Sequence, residues 1–431
     1  MNHSYGSRLA LTSVVILLGA SLTACVHPKT HYRVIDLGTL SCPNGNCAVG
    51  TVNDVCEVAG YEETNGEDWA LVWQPTMSGA WVKTVLPPPT LQYAAGSWAN
   101  KSILSATNFR AFSINNFGEV IGYGKGPRNE AVLWRTRAVP DPAGFGSGQP
   151  AVVGAYLGGL PNNGAVSEGF GINNAAQTVG NSKDMIAILA SQWSRTSGMS
   201  TLGSSLLPTN GVAPSHAVAI DDRGDIAGDA TVNLGAAGST THAFYWDPTP
   251  SSPATTPTML DLGTLPGGQG NSKATAVINP GSFGPVVVGV STVTGGTHAF
   301  SWRPSTGMVD LKDLPGGGEG GGADAVGTAG VFGYGTVAAG KHAVGWPLID
   351  LDQAPKTTAI DLNSLITPPG SMGTVVLEEA TGVNGIGIVA VLGTVNTTAQ
   401  HAFLLVPAAD DLPGFFGPSL FSGACGRPAQ Q

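Results

Sequence analysis

Charge is what this chain lacks most. Only 11% of its 431 residues are Asp, Glu, Lys or Arg, less than half of the ~25% usual in globular proteins. Nineteen Lys and Arg face 29 acids, a formal charge of −10, and no basic run occurs. A nucleic-acid surface needs clustered Lys and Arg, so nucleic-acid partners are excluded. Beyond the N-terminus no stretch is long and apolar enough to span a bilayer. Gly-x-Ser-x-Gly and His-Glu-x-x-His are absent, and the Gly316–Gly322 run lacks the Lys-Ser/Thr of a phosphate loop. The low hydrophobicity that accompanies disorder is missing too, since 42% of residues are hydrophobic. What abounds is glycine (62 residues), with 30 prolines. Many glycines, few charges and short β-branched runs describe an all-β protein rich in turns.

Residues 1–24 are an address rather than part of the fold. Arg8 and the α-amino group precede an apolar run from Leu9 to Ala20, too short to cross a bilayer and typical of a signal peptide. Leu22-Thr23-Ala24-Cys25 resembles a bacterial lipobox. That resemblance makes Cys25 the first mature residue and the site of lipid attachment, palmitate included. Residues 25–31 are then a lipidated linker. The alternative is an ordinary signal peptide with a chance cysteine. Val26 stands where the inner-membrane retention aspartate of lipoproteins stands, so the expected address is the outer membrane, facing either side. Acyl chains would hold the protein there.

Four cysteines remain: Cys42, Cys47, Cys56 and Cys425. An even count in an exported chain fits two disulfides with three possible connectivities. The spacings do not match usual zinc patterns. Cys425, paired with the N-terminal cluster, would tie the chain ends together.

The organising feature is a repeat. His298-Ala299-Phe300-Ser301-Trp302 recurs at His242–Trp246, His342–Trp346 and His401–Leu405. Weaker copies are Trp69–Trp73, Glu130–Trp134 and Ile188–Trp193. Seven copies lie roughly fifty to sixty residues apart, a spacing near that of propeller blades. Each unit reads as four short strands, here a to d, separated by turn residues. In the clearest unit these are Ala274–Ile278, Val286–Val290, His298–Trp302 and one opening at Met308. Strand a ends in an Asn or Asp corner, as at Asn53, Asn115, Asn173, Asp221 and Asn384. Asx side chains suit such a corner because they bond nearby backbone and tolerate left-handed conformations. A d-type strand, Tyr32–Leu40, precedes the first a strand, and no d follows the last c strand. The counts balance only if the N-terminal strand completes the last blade. The fold expected over 32–406 is therefore a closed seven-bladed β-propeller with four-stranded blades, and 407–431 form a tail. Closure removes exposed sheet edges.

Asp261-Leu-Gly-Thr-Leu-Pro-Gly-Gly268, the Ile-Asn corner, Val-Val-Gly and His-Ala-Phe-x-Trp together resemble the HAF repeat of exported bacterial proteins, labelled probable extracellular repeat proteins. The likeness runs over most of 32–406. It implies export and repeats, and supplies no activity, cofactor or catalytic residue.

His242, His298, His342 and His401 occupy one equivalent place in four blades. Trp69, Glu130 and Ile188 stand at about that place in the others. A shared metal or acid–base site is therefore disfavoured against one repeated structural hydrogen bond. Arg223-Gly224-Asp225 and Asp221-Asp222-Asp225 admit adhesive or calcium readings, but turn chemistry accounts for both. The period breaks at 87–110, whose Tyr93, Trp98 and Phe109 either form a candidate binding loop or are hydrophobics that tether the loop to the scaffold, and at 136–152. Long loops on a rigid scaffold are where function tends to sit. The resulting expectation is a lipid-anchored, non-catalytic module without cofactor or metal, binding an envelope protein or glycan. The alternative is a polysaccharide lyase or hydrolase with its site at one mouth of the channel.

Overall fold

The computed structural model describes residues 31–408 apart from short loop segments, the longest being 101–107, 138–142, 145–151, 161–165, 207–212, 250–257 and 349–357. Cys25 and Cys425, residues 409–431 of the expected tail, and most of 136–152 lie outside the described residues, while Pro407 belongs to the last strand rather than to a tail. Seven sheets built on antiparallel a-b-c-d strands follow one another along the chain, the last taking its d strand from the N-terminus. The innermost strands are Ala48–Val52, Phe109–Ile114, Ser167–Ile172, Ser215–Ile220, Ser272–Ile278, Gly321–Gly327 and Val375–Val383. They surround one central channel, to which all seven contribute lining residues. The protein is a seven-bladed β-propeller.

Closure is made by the N-terminal strand. Tyr32–Leu40 pairs antiparallel with strand c of the last blade, Ala399–Pro407, from Tyr32 opposite Pro407 to Leu40 opposite Gln400. Blade 7 is thus built from both ends of the chain, and opening the ring requires breaking a full strand pairing. Blade 2 departs from four strands. Part of the 87–110 insertion folds as a hairpin, Leu91–Ala94 and Ser97–Asn100, and adds to the outer strand Val153–Tyr156 in parallel. This blade has six strands.

Every inner strand carries a β-bulge. The pairing with strand b skips one residue, for example between Ala111 and Ser113, Gly169 and Gly171, Ala217 and Ala219, or Ala274 and Ala276. A bulge re-aims side chains and sharpens the local twist. Here it also explains the glycine of Val-x-Gly in strand b. A Cβ on Gly122 would lie 1.8 Å from the carbonyl oxygen of Arg110, and one on Gly289 would lie 2.0 Å from that of Lys273.

The tryptophans of strand c fill the gaps between neighbouring blades, as a repeated apolar position should. Trp73, Trp134 and Trp346 are 0% exposed, as is Leu405 in the seventh copy. The alanine of His-Ala-Phe is equally buried because its N–H is clipped to the next blade. Ala131, Ala190 and Ala243 donate to the hydroxyls of Ser167, Ser215 and Ser272 at 3.0, 2.9 and 2.9 Å.

Cys42 and Cys47 form a disulfide. Cys56, fully buried in the first blade's corner, is also disulfide-bonded.

Two outcomes follow. Gly122→Ala forces a side chain onto backbone that cannot move away, and should cost about 2–3 kcal/mol in denaturant unfolding. An unchanged midpoint would contradict this close approach. Deleting residues 26–40 leaves strand c of blade 7 as a free edge, and should replace one cooperative transition by an earlier, broader one, measured by tryptophan fluorescence.

Candidate functional site

The seven inner strands run in one direction, so aligning them on their bulges sorts the channel into layers. The three residues after the bulge bring each strand to its corner. The corner layer holds Asn53, Asn115, Asn173, Asp221, Asn279 (one residue later in its blade), Gly327 and Asn384, and it rings one mouth. Each asparagine except Asn279 performs two tasks. Its Oδ1 accepts backbone N–H groups of its own turn, as Asn115 does from Phe117 and Glu119, both at 3.0 Å. Its Nδ2 donates to the corner carbonyl of the next blade: Asn384 to Asn53, Asn53 to Asn115, Asn115 to Asn173 and Asn173 to Asp221, at 2.9–3.0 Å. A second belt lies just outside. Asp54, Asn116 and Asn174 each donate a backbone N–H to the side chain of Asn116, Asn174 and Asp222, all at 2.8 Å. This mouth is a structural clasp, and its polar groups are largely spent on one another.

Asp221 breaks the belt. Its Oδ1 accepts from Arg223 and Asp225 like its asparagine counterparts, at 2.8 and 3.0 Å. Its Oδ2 has no partner among the described residues. Burial, and then the nearby charge of Asp225, push the Asp221 carboxyl up to about 6 against the pull of backbone N–H groups.

The bulge layer points into the channel. It consists of Gly50, Phe112, Phe170, Val218, Thr275, Asp324 and Thr381, lining a cavity of about 260 Å³. Phe112 and Phe170 pack together at 5.3 Å, and Phe112 stacks on Tyr123 at 5.6 Å and meets Tyr61 edge-on at 5.8 Å.

Two residues before the bulge lies the rim of the opposite mouth. Here the blades differ most: Ala48, Arg110, Glu168, His216, Lys273, Gly322 and Glu379. Most of the charged groups are held in place. Arg110 is 2.6 Å from Asp68, which Lys125 also reaches at 2.9 Å, and the guanidinium lies 4.5 Å above the Tyr61 ring. Burial works against the Asp68 charge, but these two cations outweigh it and hold its carboxyl below the usual range. Glu168 accepts from Asn129 at 2.6 Å, His216 meets Asp229 at 3.1 Å, and Glu379 pairs with Lys341 at 2.6 Å. Lys273 is exposed. Blade geometry thus presents five different polar heads around one opening, with aromatic faces below.

The histidine column is structural. His242, His298, His342 and His401 each place Nδ1 2.8–3.1 Å from an aspartate of strand d in the same blade: Asp261, Asp310, Asp361 and Asp36. The same aspartates accept the N–H two residues on, at Gly263, Lys312, Asn363 and Gly38. Blades 1 to 3 lack both partners. Trp69 and Glu130 stand at the histidine place, and in blade 3 it is Leu189 rather than Ile188, because Leu189 pairs with Ser182 as His242 pairs with Ala230.

The candidate binding loop does not converge on either mouth. Phe109 is the first residue of the second inner strand, 6% exposed, and packs edge-on against Trp134 at 5.9 Å. Tyr93 meets Trp193 at 5.1 Å and donates its hydroxyl to the Arg195 carbonyl, tethering the hairpin to blade 3. Trp98 pairs with Tyr93 through the backbone. The acids of the Asp221–Asp225 turn are engaged by protein donors: Asp222 by Asn174, and Asp225 by Tyr245 at 3.0 Å and Asn279 at 2.6 Å. Among the described residues no group of three or more His, Cys, Asp or Glu is disposed to hold a metal ion. A groove of about 610 Å³ lies between Glu57, Gln74 and Arg137 on the outside of blades 1 and 2, with Arg137 committed to Glu57. Sequence reading missed the rim and Asp324. The signal was present in the residues five and three places before each corner, which vary while their neighbours stay small or β-branched.

Fold and site together define a closed propeller with one mouth clasped by asparagines and one mouth of varied polar side chains. No known family profile matches the chain, and no curated protein is significantly similar to it.

Two outcomes check these assignments. Asp221 has a folded pKa of about 6, above its ordinary unfolded value of about 3.9. A raised carboxyl favours the fold when protonated, so its contribution is present at low pH and is lost as pH rises from about 4 to about 6. Asp221→Asn removes the titrating charge at every pH. It should raise the melting midpoint at pH 8 and remove that slope; a lower midpoint at pH 8 would refute the assignment. For the histidine clasp, a double-mutant cycle of His401→Ala and Asp36→Asn should give a coupling of about 1 kcal/mol, and no coupling would make the pair incidental.

Proposed function

We propose that this protein is a non-catalytic binding module of the bacterial cell envelope, held to the outer membrane by lipid on Cys25, which takes a glycan or protein ligand at the mouth ringed by Arg110, Glu168, His216, Lys273 and Glu379. The observation that carries the reading is the layering of the inner strands. Positions that hold the ring together repeat from blade to blade, whereas the rim and bulge positions differ in nearly every blade. Variation on a repeated scaffold marks the surface that the scaffold presents. The lipobox-like Leu22–Cys25 and the likeness to HAF repeats support export.

Chain geometry supports an orientation. Tyr32 pairs with Pro407, near the asparagine mouth. Six residues separate it from Cys25, at most about 25 Å of extended chain. A lipid on Cys25 would keep the asparagine mouth toward the membrane and turn the varied mouth away from it, free to meet a partner.

The enzymatic alternative rests on one feature, the neighbouring carboxyls of Asp324 and Glu379. Glycoside hydrolysis uses carboxyls about 5 Å or more apart with the sugar between them. Asp324 and Glu379 are instead immediate electrostatic neighbours, and Glu379 is already paired with Lys341, which argues for binding.

Full-length protein, purified in detergent, should retain a subset of immobilised envelope glycans or proteins, and Lys273→Ala at the exposed rim should weaken retention about threefold to tenfold. Retention unaffected by rim substitutions, or turnover of a polysaccharide, would overturn the reading. Cys25→Ser should abolish incorporation of labelled palmitate and release the protein from membranes.

A further inference from the structure

Six of the seven side chains that the bulges turn into the channel are uncharged, and the seventh is Asp324. Blade 6, which carries it, is three blades from blade 2 in one direction and three from blade 3 in the other. Asp324 therefore stands across the channel from Phe112 and Phe170. Its Oδ2 is shielded from solvent and finds no hydrogen-bond donor. Three ionisable groups surround it: Glu379 on the inner strand of blade 7, and Lys341 and Tyr334 on strands c and b of blade 6. The cation is already committed. Lys341 Nζ lies 2.6 Å from Glu379 and 3.7 Å from the centre of the Tyr334 ring. Burial, then the Glu379 charge, keep Asp324 protonated well above the usual carboxylate range, with Lys341 opposing.

A carboxyl oxygen shielded from solvent without a donor costs stability, and the other blades fill the same place with Gly, Val, Thr or Phe. The ring does not need it. A lone carboxyl on one wall and aromatic faces on the other match the two halves of an ammonium site, where an ion pair and cation–π attraction add. The fixed Lys341, between Glu379 and Tyr334, is a local instance of the same chemistry. We propose that the channel binds a primary ammonium group of the ligand, such as an amino-sugar amine, between Asp324 and the Phe112–Phe170 faces. The proposal rests on the reading that ligands enter by the varied mouth. No covalent bond changes. Asp324 releases its proton to solvent, and its carboxylate pairs with the incoming R–NH3+.

The test is calorimetric titration of the full-length protein with a glucosamine tetramer, its N-acetylated counterpart and n-butylamine. The glucosamine tetramer should bind at least about tenfold more tightly than the acetylated one. Titration in buffers of different ionisation enthalpy should show net proton release on binding. Asp324→Asn should keep the fold, with an equal or higher melting midpoint, and lose both the preference and the proton release. Phe170→Leu should weaken the amine about threefold. Equal binding of the two tetramers, or of wild type and Asp324→Asn, overturns the ammonium site. Binding of n-butylamine dependent on Asp324, with neither tetramer bound, upholds the ammonium site and counts against glycan entry by the mouth. No binding of any of the three rejects the ammonium site and leaves ligand entry to be judged by the glycan and protein screen.

Discussion

The bulge in each inner strand is the constraint on which the rest depends. It skips one residue of the pairing with strand b, as at Phe112 and Thr275, and three consequences follow. The skipped side chain turns into the channel. The carbonyl two places before it moves against strand b, which must then carry glycine, as at Gly122 and Gly289. Three residues on, the strand arrives at its corner with an Asx side chain able to reach the next blade. A local irregularity, repeated seven times, thus sets channel lining, strand composition and inter-blade joints together.

Two further repeated bonds complete the ring. The His–Asp pair locks strand c to strand d within blades 4 to 7, and in blade 7 it joins His401 to Asp36 across the chain ends. Asparagine Nδ2 bonds link successive blades, including the junction from Asn384 to Asn53. The belt is interrupted from blade 4 to blade 6: at Asp221, at Asn279, whose Nδ2 turns back to Asp225, and at Gly327. Blade 6, where the corner is glycine, also holds the unpartnered Asp324. Departures from a local rule gather where function is expected.

Much of this was legible in the residues. Strand periodicity and turn signals located the blades, and the spare Tyr32–Leu40 strand required closure, because the count balances only in a ring. The histidines could be read as structural since one position repeated. The aspartates that hold them stand in the Asp-Leu-Gly motif but twelve or more residues away, a contact that needs the c–d register to be seen. The six-stranded blade 2 was hidden because the Leu91–Asn100 hairpin joins through a parallel pairing with no local signature. Phe109 and Tyr93 read as either exposed contacts or hydrophobic tethers of a long loop; one begins an inner strand and the other tethers the hairpin to blade 3. The rim became visible only on aligning the bulges, because its residues share no type.

The structure divides its two mouths between maintenance and recognition. The asparagine mouth is held by a repeated Asx bond in four of its seven junctions; the varied mouth offers charge, aromatic faces and the unmet Asp324 carboxyl. The most direct measurement is hydrogen–deuterium exchange on the full-length protein with and without the glucosamine tetramer. The account predicts slower exchange in peptides spanning 110–113, 168–171 and 322–325, with the corners at 53–57 and 384–388 unchanged. Protection confined to outer strands or to the asparagine corners would contradict it.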